Sequence, residues 1–390
     1  MALRKLLWLL SFLSFIIYAT AATEIGAALP GIVSEFKLSE SLIGVLASLQ
    51  SLAGVLAIPG GVLSDLFGKM RLVSLSLLIM GVGALLISGS PAAPLLGASL
   101  FIFGSGMGFF EASVNACISE IFRERRGMAI NLLHIGWNIG SSIGPPLAAY
   151  AILAYGSWRI GYLLVSPFLL ALSLASWASA RASALPSGGG NRGSKAGIAS
   201  GSVLTLLPLM IIPFFLVANQ LGITAWLPSI LVDQGAPLME ASLAVGLFWA
   251  LSGVGRLSWA LFTDRIGYWR ILLLAGSSSA ILMLLTLLPL PIHAKIALWS
   301  CSGFFLGPAY PTVVAWVTSI RPEIGGTLSG ILFASATLGS FASTVATGLL
   351  FDLFGSRIAQ LIFPLLIIPV AAASYIMRGI GGSGEPATPR

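Results

Sequence analysis

Four ionisable residues, Glu24, Glu111, His134 and Arg256, lie inside apolar stretches of the chain. A charged side chain at the middle of a hydrocarbon layer costs about 2.5–3.5 kcal/mol on insertion scales, so each is a candidate for function. Glu111 precedes Asn115 by four residues, which puts a carboxyl and an amide on one helix face. Such a pair can hold a proton or a polar ligand, or lock helix packing. His134 follows Asn131 by three residues, again on one face. Imidazole titrates near neutral pH, which suits a proton relay as well as a hydrogen-bonded packing residue. Glu24 reads either as a proton carrier or as a carboxylate near an outer mouth. Arg256 lies two turns before Asp264, close enough to a helix end to snorkel or to pair with an acid there. Its other readings are contact with an anionic group and pairing with Glu120. Gln220, Trp226 and Tyr310 complete the set expected to touch a ligand or a proton.

Other chemistries lack their parts. No nucleophile–base pair and no cluster of metal-ligand spacing stands out, so neither an enzyme nor a metal or cofactor site is expected. The phosphate loop G-x-x-x-x-G-K-[ST] is missing, which argues against ATP as a direct energy source. Cys117 and Cys301 fall in separate apolar stretches and read as small buried residues.

The elements that hold these residues follow from composition. The chain has 390 residues, 57% hydrophobic and only 8% charged, against roughly 25% charged in a soluble domain. Apolar runs of the roughly 20 residues needed to cross a bilayer recur from end to end. The pattern predicts an all-α integral membrane protein of twelve spans, the first near 6–31, the fifth near 128–154, the tenth near 294–319 and the last near 358–378. Arg4, Lys5 and the following apolar run resemble a cleavable leader. The stretch ending in Leu29-Pro30 has a counterpart ending in Leu227-Pro228, and is therefore read as the first span.

The net charge of +7 is scattered over short loops, so it reports topology and not a nucleic-acid partner. Fifteen Lys and Arg fall on the side of the termini and four, Lys37, Arg159, Lys295 and Arg357, on the other. The positive-inside rule then places both termini in the cytoplasm of a cell-membrane protein.

Sliding the chain against itself by 199 positions superposes Asp65, Gly68 and Arg71 on Asp264, Gly267 and Arg270. The same register superposes Gly104 and Gly108 on Gly303 and Gly307, and Gly140-Ser141 on Gly339-Ser340. One register serving all of them implies a duplicated six-helix unit. The expected organisation is a bundle over 1–180, a flexible linker over 181–202, a second bundle over 203–378 and a disordered tail over 379–390. Six helices return the chain to its starting side, so the two repeats run parallel.

Two short turns carry a family signature, GVLSDLFGKMR over Gly61–Arg71 and ALFTDRIGYWR over Ala260–Arg270. Together with the repeat they resemble the loop motif of the major facilitator superfamily, and the likeness runs over essentially the whole chain. The resemblance implies its fold, alternating-access transport, a small-molecule substrate and a lipid bilayer around a monomer. Asp65, Gly68, Arg71, Asp264, Arg265 and Arg270 become a conformational clasp at the cytoplasmic ends. GMGFFEASVNACISE and GMAINLLHIGWNIGSSIGPP resemble the fucose and glucose permease branch, whose helix-4 Glu matches Glu111. In that branch the helix-1 acid, counted back from Pro30, falls at Gly26; here the acid is Glu24. The branch implies a proton-coupled sugar symporter. The Gly140-x-x-x-Gly144-Pro145 element also resembles drug-exporting antiporters, so export of amphipathic compounds stays open, as does a non-transporting receptor or scaffold.

Overall fold

The computed structural model describes residues 2–122, 126–182, 207–260, 266–320 and 325–379, and among these there is no strand. They divide into two units, Met1–Arg192 and Gly193–Arg390. The linker expected over 181–202 and the tail over 379–390 fall almost wholly outside the described residues.

In the first unit the helices are α1 (Ala2–Thr23), α2 (Ile25–Phe36), α3 (Glu40–Leu52), α4 (Ala57–Phe67), α5 (Lys69–Ser88), α6 (Ala93–Ile121), α7 (Arg126–Tyr155) and α8 (Arg159–Ala182). In the second they are α9 (Leu207–Asp233), α10 (Leu238–Ala260), α11 (Tyr268–Leu285), α12 (Ile292–Leu306), α13 (Ala309–Ile320), α14 (Gly325–Phe354), α15 (Ser356–Ala359) and α16 (Ile362–Ile376). Successive pieces such as α1 with α2, and α3 with α4, form single apolar rods, Leu3–Phe36 and Glu40–Phe67.

Ten rods among the described residues are long and apolar enough to cross a membrane. The fifth and tenth expected spans are helical but fall below that measure, for different reasons. Helix α7 has 30 residues, about 45 Å at 1.5 Å per residue, yet carries Asn131, His134, Asn138, Ser141, Ser142 and two prolines. The tenth is cut at Gly307-Pro308 into α12 and α13, of 15 and 12 residues. Proline has no N–H to give the carbonyl one turn back. In the first unit Phe109 occupies the equivalent position and α6 runs through unbroken.

The repeat is visible in the backbone. Helices α7 and α14 begin and end 199 residues apart. Gly68 and Gly267, which open the third span of each unit, have φ of 90° and 88°, a region that side chains with a Cβ avoid. Each unit packs its first span on its fifth, its second on its fourth and its third on its sixth. The crossings depend on missing side chains. A Cβ on Gly104 would collide with the Gln50 carbonyl, and one on its repeat mate Gly303 with the Phe248 carbonyl. Gly140 and Gly339 stand in the same relation to Ile16 and Phe214. Hydrogen bonds then join the touching helices: Ser74 and Ser173 each donate to the other's carbonyl at 2.8 Å, and Ser343 donates to Ala218 O at 2.7 Å.

Gly104→Ala and Gly303→Ala are each expected to destabilise the protein by about 1–3 kcal/mol, the usual range for overpacking. Gly61→Ala, where a Cβ meets nothing within 4 Å, should leave the thermal midpoint of the detergent-solubilised protein unchanged.

Candidate functional site

The first unit assembles a connected polar chain from three spans. Tyr18 of α1 donates to Glu111 Oε1 at 2.5 Å, and Asn115 Nδ2 donates to Glu111 Oε2 at 3.1 Å. His134 Nε2 of α7 lies 3.2 Å from Asn115 Oδ1. Since that oxygen can only accept, this arrangement needs the imidazole proton on Nε2. Aromatic rings wall the chain: Phe15 lies 4.9 Å from the His134 ring, and Trp137 lies 5.3 Å from Tyr18. Glu111 is thus a buried carboxylate with a donor on each oxygen. Asn131, expected beside His134, is exposed on α7; one turn on from it, His134 turns to Asn115 instead.

Glu24 has the opposite surroundings. It stands between α1 and α2, is fully buried, and neither carboxylate oxygen has a hydrogen-bond partner. Gly161 of α8 packs against it, so that a Cβ there would lie 2.6 Å from Glu24 Oε2. The next residue, Tyr162, is fully buried and its hydroxyl also lacks a partner. One six-helix unit therefore holds two buried carboxylates, one satisfied and one without any donor.

Tyr18 and Tyr162 were not singled out by sequence reasoning. For Tyr18 a signal existed: Ser11, Ser14, Tyr18 and Ala21 recur at helical spacing, and all are buried, so they mark the inward seam of α1. Tyr162 adjoins a glycine in an apolar stretch, and nothing local distinguishes it.

In the second unit Gln220 donates to Leu306 O at 3.4 Å, at the end of α12 where the fourth span breaks. Trp249 donates to Thr224 Oγ1 at 2.9 Å, and Thr224 donates to Gln220 O at 2.7 Å. Trp226 is fully buried with its indole N–H on Thr344 O at 3.0 Å, so it packs α9 against α14. Tyr310, in the first turn of α13, stands 199 residues after Glu111. The two fourth spans therefore carry a polar side chain at the same position of the repeat. Gln220 and Tyr310 lie around one helix break; Trp226 points away from it, into the α14 contact.

At the Gly68 turn Asp65 and Arg71 are exposed. Lys69 pairs with Glu120 at 2.6 Å, tying the start of α5 to the end of α6. At the Gly267 turn the Arg270 guanidinium lies over the Trp269 ring at 5.1 Å, whereas Asp264 and Arg265 lie outside the described residues.

A duplicated helical bundle with polar groups gathered on the inner faces of its spans is the build of a multi-pass membrane transporter. The chain belongs to the Major Facilitator Superfamily, whose family model matches residues 7–344. It is 26% identical to the fosmidomycin resistance protein of Escherichia coli (strain K12), over 80% of this chain and 77% of that one. It is 25% identical to the cis,cis-muconate transport protein of Acinetobacter baylyi, over 90% of this chain and 91% of that one. Among solved structures, an inward-facing, occupied bacterial homologue of the human lysosomal transporter Spinster matches with a TM-score of 0.81 at 14% identity, covering 100% of both chains. At that identity the likeness concerns the fold alone. The protein is a transporter-family member and not an enzyme.

Tyr18→Phe removes one of the two donors to Glu111 and is expected to destabilise the protein by about 1–2 kcal/mol. In a double-mutant cycle with Glu111→Gln the two changes should be non-additive by at least about 0.5 kcal/mol, read from unfolding midpoints.

Proposed function

We propose that this chain is a secondary transporter of the cell membrane, working as a monomer with both termini in the cytoplasm, which moves a small polar solute by alternating access coupled to a proton. The observation that carries this reading is the contrast between Glu24 and Glu111. Glu111 is built into a network of amide, phenol and imidazole, the groups that can exchange hydrogen bonds with a solute. Glu24 is buried beside Gly161 with no hydrogen-bond donor on either oxygen, so no hydrogen bond compensates a charge on it. A group that must gain and lose a proton as it is exposed to one side and then the other fits the second environment. The Gly68 and Gly267 turns, with Asp65, Arg71, Asp264, Arg265 and Arg270, then form the clasp that favours one conformation.

Two substrate classes have support. The likeness of the fourth and fifth spans to sugar permeases favours a monosaccharide held by Glu111, Asn115 and His134. The muconate relative, and a cyanate transport protein of Escherichia coli at 25% identity, carry anions instead. Efflux is the second reading for direction, favoured by the fosmidomycin resistance relative.

In proteoliposomes, Glu24→Gln should abolish solute accumulation under an imposed pH gradient while leaving solute counterflow within about twofold of wild type. Glu111→Gln should lose both. Accumulation by Glu24→Gln at the wild-type level contradicts the assignment.

A further inference from the structure

Arg256 is used by neither the polar chain of the first unit nor the proposed proton site. It lies on α10 where that helix meets the broken fourth span of its unit backbone to backbone. A Cβ on Gly255 would collide with the Phe304 carbonyl, and one on Gly307 with the Ser252 carbonyl and, at 2.8 Å, with Arg256 N. The Phe304 carbonyl is the one that Pro308 cannot serve, because proline has no N–H. Arg256 is therefore fixed at the break, beside the start of α13.

The Arg256 Nε is buried and has no hydrogen-bond partner. A snorkelling arginine would carry that atom out into a polar layer. None of the described ion pairs includes Arg256, and Glu120, one of its candidate counter-ions, pairs with Lys69. Glu240, on the same helix, is 16 residues away, about 24 Å along the axis. Tyr310 sits at the same break, in the first turn of α13 and three residues past Gly307. Trp249 lies two turns back along α10 on the same face, joined through Thr224 to Gln220. In contrast, the repeat mate of Arg256 is Ala57, so the duplicated scaffold does not need a cation there.

We infer that Arg256, with Tyr310 at the helix break, binds the anionic group of the transported solute, and that this group is a single carboxylate or a small oxyanion. One guanidinium fork takes one carboxylate with two parallel hydrogen bonds. Trp249 and Gln220 then face the uncharged remainder of the solute. The inference rests on the transporter reading above and names the substrate class.

The test uses the full-length protein in detergent, with thermal unfolding followed against acetate, pyruvate, benzoate, cyanate and phosphate, and against glucose and fucose as neutral controls. A ligand of the folded state raises the midpoint by mass action. At least one anion should stabilise the wild type, with apparent affinity weakened at least about tenfold in Arg256→Gln, the loss expected for a charged hydrogen bond. Arg256→Lys should recover part of it, and unliganded midpoints report whether each variant is folded. An anion shift that survives Arg256→Gln, stabilisation by the sugars alone, or no stabilisation by any of these anions would overturn the inference. The assay runs without a proton gradient, so its failure leaves proton coupling standing, and a failure of coupling in liposomes leaves this site standing.

Discussion

Backbone groups inside a hydrocarbon layer have no water to bond with, so each segment must satisfy them by remaining helical. Helices there gain little from hiding apolar side chains from one another, because the lipid is as apolar as they are; close backbone contact and hydrogen bonds between helices hold them together. Gly104, Gly140, Gly303 and Gly339 each stand where a neighbouring carbonyl leaves no room for a Cβ. They set the distances from which everything else follows. The approach of α7 to α1 at Gly140 brings His134 and Tyr18 to the α6 residues Asn115 and Glu111.

Duplication supplied that scaffold twice, and function has separated the copies. Glu111 and Tyr310 are one position of the repeat, as are Ala57 and Arg256, and Phe109 and Pro308. The first unit carries its acids on continuous or gently jointed rods. The second carries a guanidinium, in none of the ion pairs among the described residues, where proline breaks a span. Similar six-helix frames thus hold groups of opposite charge.

Much of this was legible in the residues. Punctuation glycines at a spacing of 199 positions gave the duplicated unit and the helices of both halves, since a turn with positive φ and a close crossing each demand glycine whatever surrounds them. The four-residue spacing of Glu111 and Asn115 gave a real hydrogen bond. His134 shows the limit of such reasoning. Periodicity along α7 suggested Asn131 as its companion, but its partner is Asn115 on another helix, and no spacing within one segment reveals that. The lack of partners around Glu24 depends likewise on Gly161 and Tyr162, more than 130 residues away in sequence. Sequence placed helices at the fifth and tenth expected spans, although the polar face of α7 and the break at Pro308 keep them from being long and apolar enough to count among the ten.

The central claim is that solute and proton move together through this chain. It is tested most directly by reconstituting the purified protein into liposomes that contain a trapped pH indicator, with no gradient imposed, and adding a transported solute outside. Coupled movement predicts that the luminal pH changes as solute enters, and that a protonophore abolishes the change without stopping solute entry. Solute uptake with a constant luminal pH would contradict the account.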